Sequence, residues 1–341
     1  MNDTAGWHPD VARRWFVAAR LDRIGRKPLA VTVLGRPLVL ARIDGAVVAM
    51  EDRCPHRHAP LSAGRVTPAG IVCPYHGWTF GADGRCVAVP GLAPGECPPR
   101  AGARTVAVRE LDGMAWVRLA PEGDPEPPAM VAGYRPGSRK FLGQLRWRGD
   151  IVDVIENFLD PLHTHTVHAG LVRRPDAPRR PMRVRLDVTP DGFVVDYRGQ
   201  AAQSGLMFRL FESPRLSEKL HFAGAGSAQI EYAYADGSVV RITLHFTPET
   251  TDHVHVFTTL HVEHRRAPRW AVRWLVVPFL RRVAGQDGSI LALQAANRAR
   301  FPGRRGVSTR LDLVRSHLET IWERGEAPVP RDAVPEAIVW L

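Results

Sequence analysis

From Trp15 to Val47 the chain alternates short apolar runs with turn residues: WFVAARL, PLAVTVLG, RPLVLARIDG and AVVAM. Runs of this length, rich in valine and broken by glycine and proline, predict short antiparallel strands. The pattern continues to RTVAVRELDGMAWVRLA and ends near Ala120, so residues 1 to 120 are expected to form a small all-β domain. Residues Pro121 to Pro136 hold five prolines after a charged opening, which sustains neither a helix nor a central strand and predicts a linker. In residues 137 to 341, the strand-like segments PMRVRLDVTPDGFVVDYRG, AQIEYAYADGSVVRITLHFTP and HVHVFTTLHVEH are bracketed by helix-like ones near Ile151 to His168, Val283 to Ala299 and Leu311 to Arg324. Strands in the middle with helices at both ends predict an α+β domain with an antiparallel sheet folded over a helix. There is no internal repeat and no low-complexity tract.

A chain of 341 residues exceeds what one core usually organises, in agreement with two domains. Met1 to Asp10 has neither a basic nor an apolar region of the kind a secretory signal needs, so a cytoplasmic protein is expected. The longest apolar run, Trp270 to Leu280, is interrupted by Arg273 and Pro278 and is shorter than the ~20 residues of a membrane span, so no transmembrane segment is expected. Its tryptophans and arginine suit a membrane surface, but a buried amphipathic segment is the expectation. The net charge of +11 admits nucleic acid, an anionic substrate or an acidic protein partner. The basic residues are dispersed, and the pairs Arg173-Arg174, Arg179-Arg180, Arg281-Arg282 and Arg304-Arg305 accompany no recognition module, so no nucleic acid is expected. Four cysteines, Cys54, Cys73, Cys86 and Cys97, lie in the first third of the chain, and without an export signal they point to metal or catalytic use rather than disulfides.

Cys54-Pro-His56 and Cys73-Pro-Tyr-His76 give C-x-H, sixteen intervening residues and C-x2-H. Such a set can hold one tetrahedral zinc, or a [2Fe-2S] cluster in which two histidines replace two cysteines on one iron. Each half contributes one cysteine and one histidine, so one iron can take both thiolates and the other both imidazoles. Gly64 and Gly77 let the backbone approach closely. The stretches CPHRHAPLSAGRV, IVCPYHGWTF and DGRCVAVPG resemble the Rieske domain of ring-hydroxylating oxygenases over residues 7 to 120. That resemblance implies Cys54, His56, Cys73 and His76 as cluster ligands. Ala59 and Tyr75 stand where respiratory-type Rieske proteins have two further cysteines, so the likeness is to the oxygenase and ferredoxin branch. Cys86 and Cys97 are read as buried hydrophobes.

A second constellation begins at Asp153 and includes Glu156, Asn157, Asp160, His163, His165 and His168. Three histidines within six residues beside acids suit a non-haem iron held by two histidines and one carboxylate. On an ideal helix His165 and His168 share a face and His163 and His168 do not, although Pro161 disturbs that geometry, so spacing alone chooses no pair. ENFLDPLHTHTVH resembles the oxygenase pattern D/N-x2-D-x2-H-x4-H, which implies Asn157, Asp160, His163 and His168 and leaves His165 in a variable position. Gln286 to Gln294 resembles the downstream E-D-x2-hydrophobic-hydrophobic segment of the family, which implies Asp287 as third ligand; Gln286, where an acid is common, and Gly288 inside a helix are departures. Asp287, Ile290, Leu291 and Gln294 are expected on one helical face turned to the core. His253 and His255 share a strand face, with His261 and His264 nearby, and are read as cross-strand pairs or pocket lining.

The resemblance, closest to the vanillate demethylase-like group, implies a helix-grip catalytic domain and the terminal oxygenase (alpha) component of a multicomponent Rieske system. Such an enzyme uses O2 to hydroxylate or oxidatively demethylate a small aromatic or other hydrophobic organic substrate. It carries mononuclear non-haem Fe(II) besides the [2Fe-2S] cluster. The chain has no G-x-G-x2-G nucleotide fingerprint, so electrons from NAD(P)H are expected through a separate reductase, with or without a ferredoxin, docked on part of the basic surface. By the same resemblance Asp160 bridges histidines of two centres across a head-to-tail homotrimer, and substrate choice resides between Leu206 and Phe257. A Rieske electron carrier would explain residues 1 to 120 but leave His163, His168 and Asp287 without a use. A zinc-stabilised nucleic-acid binder would explain the charge and the four ligands, but would be colourless and indifferent to NADH and O2.

Overall fold

The structure is a computed structural model that describes residues 6–128, 139–174, 176–198, 213–263, 268–304, 306–326 and 337–341. The chain divides into two compact units, Met1–Pro127 with Thr247–Thr250, and Pro128–Phe246 with Thr251–Leu341.

The first unit is built of ten short strands: β1 (Phe16–Arg20), β2 (Leu29–Val33), β3 (Arg36–Ile43), β4 (Ala46–Glu51), β5 (Arg65–Thr67), β6 (Gly70–Val72), β7 (Thr79–Phe80), β8 (Cys86–Ala88), β9 (Ala107–Leu111) and β10 (Met114–Arg118). They form three sheets, β1-β10-β9, β2-β3-β4 and β5-β6-β7-β8. Three of the hairpins turn on two residues with positive φ, Leu34-Gly35, Asp44-Gly45 and Asp112-Gly113, the geometry whose twist matches that of paired strands. Leu34 tolerates this conformation while fully buried. A core of Val39, Ile43, Met50, Ile71 and Phe80 includes Cys54 and Cys73, so the two thiols stand on a rigid apolar floor. Cys86 is buried there too, but Cys97 is exposed, contrary to the reading of both as buried. It sits in the Gly- and Pro-rich stretch from Gly91 to Arg100, where no strand pairing holds it inward.

The second unit holds β11 (Arg139–Arg148), β12 (Pro181–Thr189), β13 (Gly192–Arg198), β14 (Arg215–Ala223), β15 (Ser227–Tyr234), β16 (Val239–Thr250), β17 (His253–Glu263) and β18 (Ala337–Trp340). They make one eight-stranded sheet in the order β11-β17-β16-β15-β14-β13-β12-β18, a meander closed at each side by the first and last strands. Helix α1 (Ile151–Leu159) begins where the Asp150 carboxylate accepts from the Val152 amide at 2.9 Å. It ends at Asp160, whose extended φ of −96° and ψ of 114° are those imposed on a residue before proline. The continuous helix expected from Ile151 to His168 therefore stops at Leu159, and a 3-10 turn, Leu162–His165, follows.

A helical turn Arg269–Ala271 and a π turn Val272–Val276 run directly into α2 (Val277–Arg298); α3 (Arg315–Arg324) follows. The Asp153 carboxylate, 5% exposed, accepts from Arg298 and Arg315 at 2.6 Å each, and Arg315 also reaches Glu156 at 2.8 Å, so one buried acid ties α1 to α2 and α3. Gly288 in α2 is explained by contact: a Cβ there would stand 2.8 Å from Cδ1 of Trp147. The segment Trp270 to Leu280 departs from the expectation of burial. Val272, Val276, Val277 and Leu280 pack against Leu260 and Val262, while Trp270, Trp274 and Leu275 face outward. Among the described residues no helix is long and apolar enough to cross a membrane.

Candidate metal centres

In the first unit two loops repeat one geometry. The Cys54 amide donates to the Ala59 carbonyl and its carbonyl accepts from the His58 amide; likewise the Cys73 amide donates to Trp78 and its carbonyl accepts from Gly77. The fourth residue after each cysteine, His58 or Gly77, has positive φ, 62° and 71°. Gly77 is doubly required, because a Cβ there would meet Cγ of Pro90 at 2.9 Å. Burial first, and then the neighbouring Cys73 thiol, raises the Cys54 pKa. The His56 and His76 rings lie 4.7 Å apart, His56 stacked on Trp78 and His76 on Tyr75. Burial, then His76 and Arg57, lower the His56 pKa and favour the neutral imidazole a metal needs.

These four side chains fit a two-iron cluster better than a single ion. Among the described residues only one group of three or more possible ligands has its donor atoms within 4.8 Å of one another, and it is not this one. A single tetrahedral zinc would draw the four donors to one point. Thiols paired on one side and imidazoles on the other suit two irons.

The group that does converge is His163, His168 and Asp287. The two Nε2 atoms are 3.2 Å apart, and Oδ1 of Asp287 lies 3.4 Å from the first and 3.1 Å from the second. Two nitrogens about 2.1 Å from a common ion, at ligand angles near a right angle, stand about 3 Å apart, so the set accepts a small divalent ion with open positions. Burial by itself would raise the Asp287 pKa, but the facing imidazoles of His163 and His168, 3.4 and 3.1 Å from Oδ1, take it below the ordinary carboxylate value. Burial opposes charge on His168 as well, yet its contact with Asp287 and then Gln286 raises its pKa. The 3-10 turn after Pro161 explains why His163 rather than His165 meets His168: the ideal-helix pairing of His165 with His168 does not exist, because no helix runs through them.

Asp287 and Leu291 are the buried positions of α2, whereas Ile290 and Gln294 are exposed, so the expected four-residue face is reduced to one pair a turn apart. Gln286, read as a departure from the family pattern, has its Oε1 3.0 Å from Nδ1 of His168. A carbonyl acceptor there fixes Nδ1 as the protonated nitrogen and aims Nε2 at the ligand position. Its position next to Asp287 was the only sign of this in the sequence.

Asn157 lies on α1 with a buried Oδ1 that makes no hydrogen bond. Asp160 accepts from the Leu162 amide at 2.8 Å, and burial raises its pKa. It lines a small cavity with Tyr197, Asp312 and Glu156. Tyr197, which sequence reasoning missed, is buried, and its phenol is pushed well above the ordinary value by burial, then by Glu218 and Asp160. His253 pairs with Asp252 at 2.9 Å, His255 lies against Phe257, and His261 is buried with its pKa lowered to about 4 by burial, then Lys140 and Arg241. His264 falls outside the described residues.

Residues 14–108 match the Rieske [2Fe-2S] domain, and residues 147–324 match the vanillate O-demethylase oxygenase C-terminal domain. The chain is 38% identical over 162 residues to a putative toluene-4-sulfonate monooxygenase system iron-sulfur subunit of Comamonas testosteroni, covering 46% of each. It is 41% identical over 165 residues to the oxygenase component of dicamba O-demethylase of Stenotrophomonas maltophilia, covering 46% of this chain and 48% of that one. These alignments span about half the length of the relatives. The fold is that of Pseudomonas putida CBB5 NdmA with caffeine, with a TM-score of 0.75 at 22% identity over 91% of this chain and 90% of that one. A dicamba monooxygenase bound to dicamba gives 0.72 at 23% identity, over 91% and 95%. The two units thus have the architecture of a Rieske non-haem iron oxygenase. More narrowly, the chain belongs to the family with a vanillate O-demethylase-type oxygenase domain.

Proposed function

We propose that this chain is the terminal oxygenase of a multicomponent Rieske system, acting in the cytoplasm on a small aromatic or other hydrophobic organic molecule by hydroxylation or oxidative demethylation. The observation that carries the reading is the convergence of His163, His168 and Asp287 on one point, in a chain whose other unit holds the paired Cys54/His56 and Cys73/His76 loops. Mononuclear iron there supplies the centre at which O2 reacts, and the [2Fe-2S] cluster supplies electrons. His163, His168 and Asp287 would hold such an ion, and with only three protein donors it would keep positions free for O2 and substrate. Gln286 holds the His168 ring in one orientation. Asp160 serves as the bridge between histidines of the two centres, completed by a neighbouring chain in a head-to-tail homotrimer, and Asn157, one turn earlier on α1, is a further site residue by the family pattern. Electrons come from NAD(P)H through a separate reductase, with or without a ferredoxin.

The test is iron analysis with visible absorption and low-temperature EPR before and after dithionite. About three irons per chain and a reduced-state Rieske signal are expected, with substrate-dependent O2 uptake once a surrogate reductase is added. Two irons and no uptake would reduce the protein to an electron carrier. A colourless zinc protein would overturn the reading.

A further inference from the structure

Between Glu263 and Asp287 the sequence contains no acidic residue and six arginines, Arg265, Arg266, Arg269, Arg273, Arg281 and Arg282. Within it, residues 269 to 286 form one unbroken helical run with a π turn at Val272–Val276. Its inner side is occupied, since Val272, Val276, Val277 and Leu280 pack on Leu260 and Val262. Its outer side is not polar as an ordinary surface helix would be. Trp270 is 63% exposed, Trp274 69% and Leu275 47%, and Arg269, Arg273, Arg281 and Arg282 are exposed beside them. The Arg273 guanidinium lies 5.9 Å from the Trp274 ring centroid, so cation and indole share one patch.

Two indoles a turn apart, on a run that carries arginines and no acidic residue, call for a partner that is apolar at its surface and negatively charged around it. A second copy would bring this row of arginines against a molecule of net charge +11. A neutral apolar protein groove would strip water from the guanidinium groups without pairing them. An anionic phospholipid surface meets both demands: indoles settle at the boundary between acyl chains and headgroups, and guanidinium groups reach the phosphates. We propose that the face from Arg269 to Arg282 docks on anionic phospholipid, with Trp270, Trp274 and Leu275 entering the interface and Arg273, Arg281 and Arg282 on the headgroups. The run lies in the plane of the surface and does not cross it.

The test mixes the cluster-containing full chain with vesicles of phosphatidylcholine alone or with phosphatidylglycerol added, and reads co-sedimentation and tryptophan emission. Binding to the phosphatidylglycerol vesicles, with a blue shift and loss at high salt, is expected, and none to phosphatidylcholine alone. Each Arg→Gln change at 273, 281 or 282 should lower partition about fivefold, and the Trp270→Ser/Trp274→Ser double variant about tenfold or more. Far-UV circular dichroism and the urea unfolding midpoint, unaltered because these side chains are exposed, report that the variants fold. The proposal is overturned if the unaltered protein stays in the supernatant, or if the double tryptophan variant binds as well as it does. Self-association in solution that the double variant loses, without lipid binding, would also overturn it and assign the face to a second copy.

Discussion

Nε2 of His163 and Nε2 of His168 lie 3.2 Å apart, and a single oxygen, Oδ1 of Asp287, faces both from more than a hundred residues away in the chain. The three atoms face one narrow space, and a divalent ion placed there would be met by all three at once. Replacing Asp287 by Ala should remove the mononuclear iron and leave the cluster, so that iron falls from about three per chain to about two. The reduced-state EPR signal of the cluster should be unchanged. Loss of both metals together would mean that the carboxylate holds the fold and not the ion.

Gln286 offers a finer test of the proposed centre, because it touches His168 through Nδ1, away from the Nε2 that faces Asp287. Gln286→Leu should weaken iron binding about 10- to 100-fold, the usual effect of removing an outer hydrogen-bond partner. Gln286→Glu retains the acceptor, adds charge and should restore tight binding. Iron titration of the iron-free protein, followed in the presence of nitric oxide by EPR, separates the two variants.

Asp160→Asn tests the bridge. The Asn Oδ1 can still accept from the Leu162 amide, as Asp160 Oδ1 does at 2.8 Å, so the turn before His163 should survive. Both metals are then expected to remain while turnover collapses. Unchanged turnover in a steady-state assay with a surrogate reductase would remove Asp160 from electron transfer.

The paired loops of the first unit were legible because every requirement is local: a cysteine, a histidine two or three residues on, and a fourth residue after the cysteine that takes positive φ. The triad was legible only through family likeness. Helical periodicity favours His165 beside His168, and it fails because Pro161 ends α1 and a 3-10 turn replaces the next helical turn. Gly288 and Gln286, which looked like defects in the Asp287 segment, become intelligible only when Trp147 and His168, distant in sequence, are in place. Trp270 and Trp274, expected in a buried segment, face outward for a related reason. An apolar run with interspersed arginines has the same composition whichever side carries the indoles, and only the packing of Val272 and its neighbours decides it.

Arg315 holds Asp153 and Glu156 on α1 and Glu319 on its own helix. Arg315→Met leaves the buried Asp153 with Arg298 alone and should destabilise the second unit by about 3 kcal/mol, the loss typical of a broken buried pair. Arg315→Lys keeps the charge but not the planar fork and should fall between. Urea denaturation followed by tryptophan emission measures this, and a change below about 0.5 kcal/mol would class the network with ordinary surface pairs.

His245 supplies a pH dependence that does not involve either metal centre. Its ring is fully buried in the sheet, with Nδ1 2.9 Å from Oγ of Ser227, and burial lowers its pKa to about 3. The folded protein therefore refuses a proton that the unfolded chain takes up below about pH 6.5. With the folded value depressed, the sign is fixed: the contribution is present above the unfolded pKa and is lost as pH falls toward 3. The loss approaches about 1.4 kcal/mol for each pH unit in that window. In His245→Asn, which keeps a polar atom for Ser227 without a titrating ring, the acid limb of stability between about pH 6 and 4 should flatten. Iron-free protein is the sample of choice, since proton competition at ligands would otherwise steepen the same limb. Parallel limbs for the two proteins would show that the ring is protonated without unfolding the sheet around it.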